Sequence, residues 1–205
     1  MIIKAENAGK RFNRDWIFRK LTCTFSNGNA YAITGPNGSG KSTLLQSIAA
    51  NMNVNEGKIE WFYENKMIDA ETVFSQVSLC APYLEVIEEM SATEFLLFHA
   101  SFKPLISSVT VEEIIKIVQL ENAAHKQIRF YSSGMKQRIK LAQAIFSDVP
   151  VLLLDEPCTN LDAAGYSLYH SLIENYCSNK LIIVSSNDVN EYSFCNNRLN
   201  ILDYK

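Results

Sequence analysis

Apolar and polar positions alternate along this chain in two distinct rhythms. Ala30-Tyr31-Ala32-Ile33-Thr34 is a short apolar run that stops at Gly35, the form of a buried strand. From Ser42 to Ala50 the period changes, and Leu44, Leu45, Ile48 and Ala49 recur at helical spacing. Lys58-Ile59-Glu60-Trp61-Phe62-Tyr63 partly alternates, and Glu64-Asn65 can turn it back toward Ile68, which predicts an antiparallel hairpin. Ser91 to Phe102 carries Phe95, Leu96, Leu97 and Phe98 behind a capping-box pair, Ser91 with Glu94, and Pro104 stops the predicted helix. Thr110 and Glu113 form a second such pair, ahead of Ile114, Ile117, Val118 and Leu120/Glu121 at helical spacing. A third helix is predicted from Gly134 to Phe146, with Met135, Ile139, Ala142 and Ile145 on one face, ended by Asp148-Val149-Pro150. Leu152–Leu154 and Leu181–Val184 are continuous apolar runs, as strands buried on both faces require. No repeat, low-complexity tract or Gly/Ser linker interrupts the pattern. One α/β domain over residues 1–205, with a helical piece from about residue 83 to 146, accounts for all of it.

Two of these junctions carry chemistry. Between the first strand and the first helix lies Gly35-Pro36-Asn37-Gly38-Ser39-Gly40-Lys41-Ser42-Thr43, which fits G-x-x-x-x-G-K-[ST] in the strand–loop–helix context that a phosphate-binding loop needs. A triphosphate concentrates negative charge and calls for several converging donors. Backbone N–H groups of a loop curled before a helix provide them where side chains stay clear, as at Gly38 and Gly40, and the helix start adds its positive dipole end. Lys41 then sets a full charge against the β- and γ-phosphates, Ser42 offers a hydroxyl to magnesium, and Thr43 one to a phosphate oxygen.

The second junction is the end of Val151-Leu152-Leu153-Leu154-Asp155-Glu156-Pro157. Two adjacent acids at the end of a buried strand are costly unless a cation or water holds them. Asp155 is the expected magnesium partner and Glu156 the candidate general base for the attacking water. Together the two junctions imply binding of a nucleoside triphosphate with Mg2+.

Composition narrows the class further. A hydrophobic share of 47% with 20% charged residues belongs to a globular protein and not to a disordered one. The net charge of −3 and the lack of a basic block argue against a nucleic-acid partner; Lys10–Arg14 is too short for one and is expected to be a solvated turn. Five cysteines, at 23, 80, 158, 177 and 195, form no C-x-x-C, which fits reduced thiols in a cytosolic setting rather than a disulfide framework or zinc site. Cys158 falls near the expected nucleotide and is either a packed small side chain or a participant there. The Met1–Asn7 stretch lacks signal-peptide form, and no apolar run approaches the roughly 20 residues that span a bilayer. A membrane role would need another chain to supply the spanning part.

The run Tyr131-Ser132-Ser133-Gly134-Met135-Lys136-Gln137-Arg138, ahead of the acidic strand, resembles the L-S-G-G-Q signature of ABC-type ATPases, and Thr159-Asn160-Leu161-Asp162 resembles their D-loop. The order of phosphate loop, signature, acidic strand and D-loop is that family's order over nearly the entire chain. The resemblance implies a P-loop NTPase (RecA-like) core with a small antiparallel β subdomain and an inserted α-helical subdomain. It implies a head-to-tail dimer with a second copy, in which the signature residues Ser132, Ser133, Gly134 and Met135 approach ATP held by the other copy's phosphate loop, Ser132 and Gly134 at the γ-phosphate. It places the D-loop at Asp162 and an adenine-stacking aromatic at Phe12, where a core role is the alternative; Trp16 is a weaker stacking candidate.

The resemblance also implies an ATP-hydrolysing subunit of an ABC transporter, cytoplasmic and peripheral to the membrane through an integral permease that docks near Pro82–Lys103. A minority of the apolar residues there would face that partner. A non-transport ABC ATPase, or an ATP-binding module with little turnover, are the alternatives. Three departures stand out. Asn187 aligns with the family's switch histidine, and none of His99, His125 or His170 stands in that motif; Pro82 aligns with its metal-reaching glutamine, with Gln76 nearby but out of register; Ser133 and Met135 depart from the usual letters of the signature, which otherwise keeps its Ser and one Gly. Asparagine can still donate to a γ-phosphate oxygen but cannot become cationic, so hydrolysis is expected to be slow or differently coupled. Transported cargo and direction are not encoded in these motifs; the short length resembles compact members of the family, including those of haem export.

Overall fold

The computed structural model describes residues 1–205. Its backbone contacts divide into two compact units, one of Met1–Leu79, Val149–Glu156 and Asn179–Lys205, the other of Cys80–Asp148 and Pro157–Ser178.

The first unit holds two sheets. Strands β1 (Ile2–Phe12), β2 (Asp15–Ser26), β4 (Glu56–Tyr63) and β5 (Lys66–Ile68) form an antiparallel sheet in the order β2-β1-β4-β5. The expected hairpin is β4–β5, in register Tyr63↔Lys66 and Trp61↔Ile68. Glu64 and Asn65 both take positive φ, 48° and 62°, as a two-residue turn matched to strand twist requires. Strands β3 (Ala30–Thr34), β6 (Val77–Cys80), β7 (Val151–Asp155), β8 (Leu181–Ser185) and β9 (Asn197–Asn200) form the second sheet, ordered β6-β7-β8-β3-β9, with β7–β8, β8–β3 and β3–β9 parallel.

Every residue of β7 and β8 is buried, which is why both are continuous apolar runs. Helix α1 (Lys41–Ile48) sets Leu44, Leu45 and Ile48 into one core cluster with Ile33, Val151, Leu153, Leu181 and Ile183. The Trp61 indole N–H donates to the Ile48 carbonyl at 2.8 Å, satisfying one of the carbonyls that the helix end leaves open.

The second unit is helical: α2 (Ala92–Phe102), α3 (Val111–Ile117), α4 (Ser133–Phe146) and α5 (Ala163–Tyr176). Both capping boxes form, with the Ser91 and Thr110 hydroxyls accepting from the Glu94 and Glu113 amides while those carboxylates accept in return. The bonds from the Ser91 amide and hydroxyl hold the Glu94 carboxyl below its ordinary range. Helix α3 stops at Ile117, short of the Leu120/Glu121 expected from spacing. Gln119 turns to φ 58°, and Val118 and Leu120 are buried from outside the helix. Helix α4 begins at Ser133, one residue ahead of expectation, because Ser132 caps it.

In α2, Phe95 and Leu96 are core, whereas Leu97, Phe98 and Phe102 are exposed. His99 bridges two neighbours: its Nε2 lies 2.8 Å from Ser147 Oγ and its Nδ1 3.0 Å from Gln143 Nε2. Burial, helped by the nearby Lys103 charge, pushes its pKa down to about 4. No helix of the chain is long and apolar enough to cross a membrane.

Candidate functional site

The parallel strands deliver the candidate residues of the first unit to one edge of the sheet. Strand β3 ends at Thr34 and leads into the loop; β7 ends at Asp155, and β8 ends at Ser185, two residues before Asn187. Ligands of open parallel sheets bind outside these carboxyl ends.

The loop is shaped by its glycines. Gly40 is the residue before α1, in the left-handed region at φ 101°, and a Cβ there would lie 2.2 Å from Ile17 Cγ2. No side chain caps α1, so its first amides remain available to an anion. Pro36, Asn37 and Gly38 are exposed, while Ser39 and Lys41 are buried. The Lys41 ammonium donates to the carbonyls of Gly35, at 2.9 Å, and Pro36, at 3.3 Å. It therefore lies along the loop with its charge held at the loop's own carbonyls. Ser42 and Thr43 follow in the first turn of α1 and are half-buried.

Asp155 is only 2% exposed, and its Oδ1 has no hydrogen-bond partner. Its register partner on β8 is Ser185, whose Oγ is also buried and unpaired, and Ser39 Oγ is a third such atom. A buried carboxylate oxygen without a donor is costly. Magnesium takes oxygen ligands, usually one or two carboxylates with water and substrate phosphate, so the carboxylate and hydroxyls at this edge suit that ion.

Glu156 leaves the strand at φ 43°, a conformation rare for a residue with a Cβ. Its amide donates to the Ser185 carbonyl at 2.9 Å, which fixes the reversal. The exposed Asn187 donates from Nδ2 to Asn37 Oδ1 at 3.1 Å, so its side chain touches the glycine loop.

In the second unit, Ser132, Ser133, Gly134 and Met135 line one cavity of about 300 Å3 together with Arg138, Asn160, Leu161 and Asp162. The signature-like run and the D-loop-like run are thus neighbours. Ser132 Oγ accepts from the Met135 amide at 3.3 Å as the cap of α4. Asp162 caps α5 by accepting from the Gly165 amide at 2.8 Å, with Arg138 4.0 Å away. A Cβ on Gly134 would sit 3.1 Å from the Asn160 carbonyl, so glycine is what lets the two runs approach. Gln137 of α4, 3% exposed, donates to the Pro157 carbonyl at 2.6 Å; the sequence pattern gave no sign of that buried bond.

The remaining candidates separate. Phe12 is 46% exposed, with the Lys10 ammonium 5.4 Å from its ring, and is not a core aromatic. The Trp16 ring lies by Gly9, with the Arg19 and Arg11 guanidinium groups 4.5 and 5.6 Å from its centroid. Gln76 donates to the neighbouring Ser75 hydroxyl. Pro82 is exposed and presents its carbonyl to Lys140 Nζ at 3.2 Å. Cys158 is a packed side chain, 2% exposed, and none of the five cysteines is in a disulfide.

Comparison with known proteins bears on family and fold. The family model described as ABC transporter matches residues 18–159. The cytochrome c biogenesis ATP-binding export protein CcmA of Agrobacterium fabrum is 30% identical over 190 residues, covering 91% of this chain and 88% of that protein. Among solved structures, a putative ABC transporter ATP-binding protein from Pyrococcus furiosus superposes with a TM-score of 0.83 at 22% identity over the full length of both chains. The dimeric structure of a bacterial ABC transporter cassette gives 0.81 at 22% identity, over 97% of this chain and 94% of that one. With a P-loop α/β fold and a family match across more than half its length, the chain belongs to the ABC transporter family.

Proposed function

We propose that residues 1–205 act as one ATP-binding and ATP-hydrolysing domain that powers a separate membrane permease. The observation that carries this reading is the convergence of a glycine-shaped loop, a buried carboxylate with one orphaned oxygen and a polar side chain at the switch position at one strand edge. Amides of Gly38 to Thr43 bind the phosphates, and Lys41 shifts from the Gly35 and Pro36 carbonyls to the β- and γ-phosphates. Ser42 and Asp155 hold Mg2+, which when bound neutralises charge on the phosphate oxygens. Glu156 orients and deprotonates the attacking water, and Asn187 donates to the γ-phosphate. Phe12 stacks on adenine.

Ser132, Ser133, Gly134 and Met135 cap the nucleotide of a second copy, head to tail. The relationship to a dimeric cassette supports this arrangement, as does the shared cavity with the D-loop residue Asp162. The exposed Leu97, Phe98 and Phe102 of α2 face the permease, which keeps the protein peripheral to the cytoplasmic side of the membrane. Cargo is selected by that membrane subunit.

Asn187 favours a second reading, slow hydrolysis, because an amide cannot take up the proton that an imidazole can. Phosphate release from the purified protein with Mg-ATP tests the enzyme, and co-purification with a polytopic membrane protein tests the transporter. Tight ATP binding without phosphate release would reduce the chain to a binding module. A complex containing only soluble partners would favour a non-transport ATPase.

A further inference from the structure

Strand β9 runs parallel beside β3, so its end emerges at the same edge as the phosphate loop. A short 3-10 turn, Ile201–Tyr204, follows, capped by Asn200, whose Oδ1 accepts from the Leu202 amide at 3.1 Å. Ile201 is fully buried against the start of the loop: its Cγ2 lies 2.7 Å from where a Cβ on Gly35 would stand. Beyond the turn, Lys205 Nζ donates to the Ser39 carbonyl at 2.7 Å, across 166 residues of sequence.

The Ser39 carbonyl and the Gly40 N–H belong to one peptide unit. Because that unit is planar and trans, the two groups point in opposite directions. The peptide could flip easily, since Gly40 tolerates either sign of φ, and a flip would turn the carbonyl dipole toward a bound phosphate and the N–H away from it. A charge-assisted bond on the carbonyl opposes that flip.

We propose that Lys205 is a positioning residue of the phosphate loop: its ammonium pins the Ser39 carbonyl and thereby fixes the Gly40 amide for the nucleotide phosphates. Lys41 and Lys205 then divide the work. Lys41 holds Gly35 and Pro36 only until phosphate draws it away, whereas Lys205 touches no residue that has to move. The turn is the spacer that makes this reach possible, with Ile201 anchored under Gly35 and Lys205 exposed beside Ser39.

This proposal rests on reading the loop as a triphosphate site, and the test separates the two. The nucleotide analogue MANT-ATP is titrated with Mg2+ into the full chain and into Lys205→Met and Lys205→Arg, with melting of each nucleotide-free protein and steady-state phosphate release in parallel. Loss of one exposed charge-assisted bond predicts about fivefold to tenfold weaker binding in Lys205→Met. KM rises by the same factor and kcat is unchanged, because phosphate is gripped alike before and during the reaction. Lys205→Arg binds as the original chain does. Deuterium uptake at residues 38–41 of the nucleotide-free protein rises in Lys205→Met alone. Equal MANT-ATP affinity in Lys205→Met overturns the proposal while leaving the nucleotide reading intact. So does equal weakening in both variants with a lowered melting temperature, which would reduce Lys205 to packing. An original chain that binds no MANT-ATP overturns both.

Discussion

Asn187→His is the perturbation that bears most directly on turnover. Asn187 sits two residues past the end of β8, exposed, with Nδ2 3.1 Å from Asn37 Oδ1 on the glycine loop. An exposed neutral bond of this kind contributes about 0.5–1 kcal/mol, so replacing the residue leaves stability nearly unchanged and a change in rate can be read as chemistry. Removing one preorganised donor from developing charge costs about 10²–10³ in kcat when nothing replaces it. Imidazole for amide is an exchange of donors, and charge-assisted bonds are roughly twice as strong as neutral ones. These bounds predict about a tenfold rise in kcat for Asn187→His and at least about a tenfold fall for Asn187→Ala. An unperturbed imidazole titrates near 6.5, so the gain in Asn187→His is larger at pH 6 than at pH 8. Phosphate release at saturating Mg-ATP across that range, with MANT-ATP affinity measured alongside, checks each part. If both variants turned over at the original rate at every pH, Asn187 would not meet the γ-phosphate and the slow-hydrolysis reading would fall.

Glu156→Gln keeps the backbone reversal, which is held by the amide bond to Ser185, and should lower turnover by about 10²–10⁴. It should also accumulate an ATP-bound dimer on size exclusion; a monomer at every ATP concentration would contradict the head-to-tail arrangement. Gln137→Ala leaves the buried Pro157 carbonyl without its donor and should destabilise the protein by about 1–3 kcal/mol in urea unfolding, against no measurable change if that bond is incidental. Ser91→Ala removes the hydroxyl arm of the α2 capping box and leaves the backbone amide bond to Glu94, and should cost about 1 kcal/mol by the same measurement. Burial of His99 lowers its folded pKa to about 4, so the unfolded chain binds the extra proton between that value and the ordinary 6.5. Its contribution is complete above pH 6.5 and is lost as pH falls toward 4; thermal melts of His99→Gln should show a shallower loss across that window.

Legibility followed regularity of period. Strands β7 and β8 are buried on every residue, so no alternation was needed to find them. Both capping boxes were visible because three-residue spacing is local chemistry. The two longest strands left no such trace. In β1 the register shifts between Ala5 and Ala8, between Ala8 and Lys10, and between Lys10 and Arg11, and Asn7 turns to φ 46°. The first shift places an extra residue in β1 and the other two place one each in β2, so neither strand keeps an unbroken period of two. Phe12 and Trp16 lie at the end of this irregular hairpin, and sequence spacing alone could not decide which ring is free.

The candidate site was legible as a set of motifs, but the structure locates it by a different signal, local disagreement with ordinary folding preference. Glu156 and Gly40 sit at positive φ, Asp155 has an unpaired buried oxygen, and Lys41 spends its ammonium on two carbonyls of its own loop. The orphaned Asp155 oxygen is the one that costs stability in the protein alone, and a divalent cation beside an anion would relieve it. Asn187 was legible only through the family's switch position, and Lys205 not at all, because their partners are 150 and 166 residues away. A contact at that distance has no period and no local spacing, and only the parallel order β8-β3-β9 brings both side chains to the loop. Strand order therefore determines which distant residues can tune nucleotide binding. Substitutions near the ends of β8 and β9 should alter ATP affinity or turnover more than equally exposed substitutions on β4 and β5.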